Sequence, residues 1–128
     1  MQGAIGDFAW DHWPEEVQKL FHRFRSGEGE KLVLVQNYFV EKIFPTMTLR
    51  ELSKEEIEEY RRTYRRPGGD RRPTLTWPRE IPIEGKPADT LAIIERNNEW
   101  LSGSPVPKLF INAEPGAVLV GAHRAMCR

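Results

Sequence analysis

The chain has 128 residues, room for one ordinary domain, and its 39% hydrophobic and 30% charged residues are the balance of a folded soluble protein, not a disordered one. Nineteen basic and nineteen acidic side chains cancel, so no global field draws it to nucleic acid or anionic lipid, and no apolar run approaches the roughly 20 residues of a membrane span. The single cysteine, Cys127, excludes an internal disulfide framework, and the N-terminus lacks the pattern of a secretory signal, so a reducing, cytoplasmic location is expected.

The first predicted helix opens at Pro14, a residue suited to a first helical turn, and carries Val17, Leu20, Phe21 and Phe24 on one face. Trp10 and Trp13 flank its entry as packing aromatics, and Ser26-Gly27-Glu28-Gly29 ends it. A second helix puts Leu32, Val35, Phe39, Val40 and Ile43 on one stripe and stops before Pro45. Ser53 with Glu56 is a capping box that opens a third, charged helix, with Glu58 and Arg62 at the favourable i, i+4 spacing. Pro67-Gly68-Gly69-Asp70 is a turn, and the four prolines between Arg71 and Pro87 predict short turns on a surface.

Pro87 starts another helix, with Leu91, Ile94 and Leu101 toward a core and Gly103 at its end. The apolar run Lys108-Leu109-Phe110-Ile111-Asn112, closed by a Glu-Pro-Gly turn, predicts a buried parallel strand, and a last helix begins near Ala117. A lone buried strand leaves its backbone groups unpaired, so its neighbours are expected in sequence outside this chain. The chain therefore reads as a piece of a larger soluble enzyme.

Six arginines between residues 61 and 72 follow Glu55, Glu56, Glu58 and Glu59, which marks a salt-bridged surface and not a phosphate patch. His12, His22 and His123 lack metal-ligand spacing and read as surface or partly packed imidazoles, so no metal is expected. For Trp77-Pro78 a pocket-lining role and plain packing stand side by side. Glu114 lies just past the predicted strand, where α/β sheets gather catalytic groups, and is otherwise a turn residue.

Five runs carry a resemblance that covers nearly all of the chain, among them Gly29-Glu30-Lys31-Leu32-Val33-Leu34 and Asn37-Tyr38-Phe39-Val40-Glu41. Arg71-Arg72-Pro73-Thr74-Leu75-Thr76-Trp77-Pro78-Arg79-Glu80-Ile81-Pro82 resembles the cap-to-core segment of haloalkane dehalogenases and of the related Renilla-type luciferases. Ser104-Pro105-Val106-Pro107-Lys108-Leu109-Phe110-Ile111-Asn112-Ala113-Glu114-Pro115-Gly116 is similar to the dehalogenase strand and turn that follow, and Trp10-Asp11-His12-Trp13-Pro14-Glu15 matches as well. The resemblance implies a mainly α chain: the helical cap domain of an α/β-hydrolase fold (1–84) plus the start of the C-terminal part of the core (85–128), with one core strand, flanking helices and an incomplete sheet.

The implied reaction displaces halide by attack of an aspartate, and a histidine then activates water to hydrolyse the alkyl-enzyme ester, without cofactor or metal. The resemblance puts the nucleophile upstream of Met1 and the histidine downstream of Arg128, so this chain is expected to be inactive alone. It puts the carboxylate that orients the histidine at Gln2, which is neutral, and makes Glu114 the candidate substitute acid. It carries cavity-lining roles to Phe21, Phe39, Ile43, Met47, Trp77, Pro78, Ile81, Ala117 and Val118. The implied substrate of the intact enzyme is a small haloalkane. A coelenterazine-type luciferase acting on a luciferin, and a non-catalytic fragment that self-associates through its exposed apolar underside, are the alternatives.

Overall fold

The computed structural model describes residues 6–111, Glu114 and Arg124. The chain divides into two compact units: Trp10–Ile81, and Met1–Ala9 taken with Pro82–Arg128. The first is thus inserted in sequence between the two stretches of the second.

Within Trp10–Ile81, helix α1 (Glu15–Arg25) follows Pro14, whose carbonyl accepts the Val17 and Gln18 N–H groups at 2.9 and 3.0 Å. Trp13 packs on Phe21 with ring centroids 4.5 Å apart, and Trp10 stacks on His22 at 4.0 Å, which accounts for the aromatics at the helix entry. Phe24 is the one fully buried residue of α1.

The predicted second helix is not continuous. It forms two wider, π-helical stretches, Glu30–Val35 and Phe39–Ile43, the first closed by the five-residue Gln36 N–H to Lys31 C=O bond of 3.1 Å. Between them Asn37 takes a φ of 53°, a left-handed conformation that asparagine tolerates better than most residues. This break turns Val35 out to solvent while Leu32, Val33 and Leu34 stay buried. A 3-10 turn, Phe44–Met47, carries the chain through Pro45.

Helix α2 (Lys54–Thr63) opens on the predicted capping box: Ser53 Oγ accepts the Glu56 N–H and the Glu56 carboxylate accepts the Ser53 N–H. After the turn at Gly68, whose φ of 91° suits glycine, a 3-10 turn (Gly69–Arg71) leads into helix α3, Arg72–Glu80. This corrects the expectation of short turns over 71–87. Pro73 sits in the first turn, where its missing N–H costs nothing, and Pro78 sits in the last, where one intrahelical bond is lost. The core gathers Phe24, Leu32, Val33, Leu34 and Leu75, with Leu20, Tyr38 and Ile43 packed against it.

In the other unit, Phe8 pairs with Ile83 in an isolated parallel bridge, through Phe8 N–H to Pro82 C=O (3.1 Å) and Glu84 N–H to Phe8 C=O (2.8 Å). The Asp7 carboxylate accepts the Gly85 N–H at 2.9 Å. Helix α4 (Ala88–Gly103) starts after Pro87 as expected but buries no residue: Leu91 and Ile94 are half-buried and Leu101 is exposed. Among the described residues there is no strand. In place of the expected buried strand, residues 108–111 run without regular structure, and Leu109 and Ile111 are exposed. Apart from Arg124, the expected last helix lies outside the described residues. None of the described helices is long and apolar enough to cross a membrane.

Candidate functional site

The described residues assigned to a cavity wall fall on four elements of Trp10–Ile81 and on the residue that follows the last of them. Phe21 lies on α1 and is half-buried against Trp13. Phe39 and Ile43 lie one turn apart on the second π-helical stretch, both half-buried, and Met47 ends the 3-10 turn that follows, 56% exposed. On α3, Trp77 is 60% exposed whereas Pro78, its neighbour, is fully buried on the same side as Thr74 and Leu75. The two residues thus face different ways: Pro78 belongs to the packing of the unit, and Trp77 offers a large apolar surface. Ile81 follows α3 and is half-buried. Gln2, Ala117 and Val118 lie outside the described residues.

Glu114 is exposed and pairs with Arg124 at 3.1 Å. Two surface hollows, of about 470 and 780 Å³, are lined by Arg25, Ser26, Gly27, Glu30 and Arg79 and by Lys54, Glu55, Glu58, Glu59 and Arg61. Neither holds a predicted lining residue. No group of His, Cys, Asp or Glu among the described residues is placed to hold a metal ion.

Arginines do the positioning that the sequence reading missed. Arg71, expected on a solvated surface, is buried and donates to four carbonyls, those of Leu34, Val35, Tyr64 and Arg65, at 2.7 to 3.1 Å. Its cation thereby caps the C-terminal ends of a π-helical stretch and of α2 together. The Arg25 guanidinium donates to Pro78 C=O (3.3 Å) and Ile81 C=O (2.8 Å) at the end of α3. Arg79, on α3, donates back to Phe24 C=O and Ser26 C=O at the end of α1, both at 2.9 Å. Desolvation beside these carbonyls pushes the Arg25 guanidinium below its ordinary value, opposed by the Glu80 carboxylate, and it stays charged at any physiological pH. A basic residue in the last turn of a helix is a visible signal; that two such residues cap each other's helices is not.

The remaining arginines behave as the charge pattern predicts, as a salt-bridged surface, though in a different pairing. Arg62 pairs with Glu59, and Glu58 pairs with Arg65 and, at 3.9 Å, with Arg61. Arg61 also makes a two-pronged bond to Glu41, joining α2 to the second π-helical stretch and holding the Glu41 carboxyl below the usual carboxylate range.

Comparison with known proteins gives this arrangement a context. No family model matches the chain. A haloalkane dehalogenase of Sphingobium indicum is 53% identical over 128 residues, all of this chain and 43% of that protein. A coelenterazine h 2-monooxygenase of Renilla reniformis is 39% identical over 122 residues, 91% of this chain and 39% of that protein. Among solved structures, a haloalkane dehalogenase of Agrobacterium tumefaciens superposes with a TM-score of 0.86 at 30% identity, covering 97% of this chain and 43% of that one. Another, from Bradyrhizobium elkani, reaches 0.86 at 36% identity over 94% of this chain and 43% of that one. The chain thus spans about 43% of the length of these dehalogenases. As the runs at 71–82 and 104–116 implied, it is homologous from end to end to a segment of the haloalkane dehalogenase and Renilla-type luciferase family, proteins of α/β-hydrolase fold.

Proposed function

We propose that this chain is the cap, residues 1–84, and the start of the C-terminal part of the core, residues 85–128, of a hydrolase that cleaves carbon–halogen bonds. The observation that carries the proposal is the 53% identity to a haloalkane dehalogenase across the whole chain, against 39% for the luciferase relative. On this reading the chain supplies apolar wall to a substrate cavity, from Phe21, Phe39, Ile43, Met47, Trp77, Ile81, Ala117 and Val118, with the buried Pro78 supporting it from within the unit. Such a wall excludes water and holds a small haloalkane by shape, so that a developing halide meets fixed donors in a dry site. The displacement itself uses an aspartate and a histidine contributed by other sequence of the parent enzyme. Trp77 and Met47 support the reading locally, since both keep more than half of their surface exposed in this chain and can face a ligand.

Glu114 is proposed as the acid that orients the histidine in place of Gln2. Its pairing with Arg124 then has to be exchanged for the imidazole. In the intact parent, Glu114→Gln is expected to lower turnover by about tenfold or more, and full turnover would remove the assignment. The reading as a whole is tested by bromide release from 1-bromobutane beside light output with coelenterazine, using the protein that carries this chain. Bromide without light supports it. Light without bromide supports the second reading, a luciferase-type monooxygenase, and neither signal rejects both.

A further inference from the structure

We infer that Arg25 and Arg79 are positioning residues that set where Trp77 and Ile81 stand, and so tune which substrate lengths the cavity accepts. The inference rests on the proposed function for its substrate, but its geometry stands independently. Helix α3 has nine residues, and Pro78 in its last turn deprives the Thr74 carbonyl of its intrahelical donor. A short helix weakened at its C-terminus does not by itself fix the residues that follow. Those residues are held from outside: Arg25 donates to the carbonyls of Pro78 and Ile81, on either side of the helix end.

The arrangement is reciprocal. Arg79, two residues from Trp77, donates to Phe24 C=O and Ser26 C=O. Each helix therefore has its last carbonyls satisfied by a cation from the other, which is where a helix dipole favours positive charge. The approach is close: a Cβ at Gly29 would come within 2.3 Å of the same Phe24 carbonyl oxygen that Arg79 Nε engages. Beneath the clamp, Pro78 and Leu75 are fully buried. Trp77 gains no comparable hold from packing, being 60% exposed, so the clamp and the buried Pro78 on its C-terminal side fix its direction. An arginine fork can satisfy two carbonyls at set angles, whereas a lysine offers one point charge.

The test uses the full protein that carries this chain, with Arg79→Gln, Arg79→Lys and, as a control for loss of charge, Arg23→Gln, whose partner is the exposed Glu28. Bromide release from 1-bromobutane and 1-bromohexane gives the ratio of the two kcat/KM values. Arg79→Gln is expected to change that ratio about threefold to tenfold, Arg79→Lys by less, and Arg23→Gln not at all. In parallel, the protein is labelled with 5-fluorotryptophan, and the Trp77 fluorine signal is identified by its loss in Trp77→Phe. That signal is expected to shift or broaden in Arg79→Gln and to stay put in Arg23→Gln. Equal losses for both substrates with an unmoved Trp77 signal would overturn the inference. If Arg79→Gln is not recovered folded, Arg79→Lys decides, and an unchanged ratio and signal in it count against the clamp. If the wild-type protein releases no bromide but the Trp77 signal moves, the proposed function fails and the positioning role stands.

Discussion

The stretch Trp10–Ile81 and helix α4 both carry apolar side chains and use them in opposite ways. In the first, Phe24, Leu32, Val33, Leu34 and Leu75 converge from α1, a π-helical stretch and α3 into one cluster. In the second, Ile93 is 50%, Trp100 63% and Leu101 37% exposed, and no residue is buried. A helix with apolar groups around much of its circumference is built to be covered on more than one side. The difference separates a segment that supplies its own core from one whose caps and helix formers shape it while its packing partners lie elsewhere.

The sharpest way to break this comparison is by truncation. Leu75→Ala, at a fully buried position, is expected to cost about 2–5 kcal/mol, whereas Leu101→Ala on α4 costs less than about 0.5 kcal/mol in the same chain. Urea denaturation followed by circular dichroism measures both, and equal losses would show that α4 is packed after all. A smaller effect probes the closeness of the first region. Gly29→Ala places a methyl 2.3 Å from a backbone oxygen that cannot swing aside, so a loss of roughly 1–3 kcal/mol is expected by thermal unfolding. Wild-type stability would mean that the α1 terminus is looser than its carbonyl contacts indicate.

Smaller still is the cap of α2, a helix with no buried residue. Ser53→Ala is expected to cost about 1 kcal/mol, most of it recovered by Ser53→Thr, which keeps the accepting oxygen. The weakest effect is acid sensitivity confined to the same region. The Arg50 guanidinium and the Ser53 N–H lower the Glu56 carboxyl to about 2, and Arg61 lowers Glu41. Groups whose folded values lie below their ordinary value near 4.5 add stability that is present above that pH. That stability is lost as the pH falls from there toward about 2. Amide exchange over 54–63 should therefore speed up in that window before exchange over 29–35 does; the reverse order would reject the view of α2 as an appended surface helix.

Local chemistry explains which elements were legible. Pro14, the Ser53–Glu56 box, the Gly68 turn and the Pro87 start act through backbone groups within a few residues, and each stands where it was read. The runs at 71–82 and 104–116 carried the kinship, because stretches of that length are specific even when their conformation is misread. The misreadings were of that conformation. Four prolines suggested turns over 71–87, yet Pro73 fits a first turn and Pro78 is tolerated in the last turn of a helix whose end Arg25 holds through the carbonyls of Pro78 and Ile81. The apolar stripe from Leu32 to Ile43 suggested one helix, yet Asn37 breaks it.

Of the proposed wall, the residue identities came from sequence, while their exposure did not. Adjacent residues on a helix point about 100° apart, so Trp77 and Pro78 meet different surroundings, and packing chose Pro78 as the buried one and Trp77 as the exposed one. What the sequence by itself determined is the helical character, the caps and the likeness to haloalkane dehalogenases, all of which depend on residues near one another in the chain. What only the tertiary structure decided is where the arginines go. Arg71 reaches carbonyls up to 37 positions away, and Arg25 and Arg79 bridge more than 50. A guanidinium satisfied by distant backbone oxygens leaves no periodic trace in the sequence, since its partners are carbonyls that every residue carries.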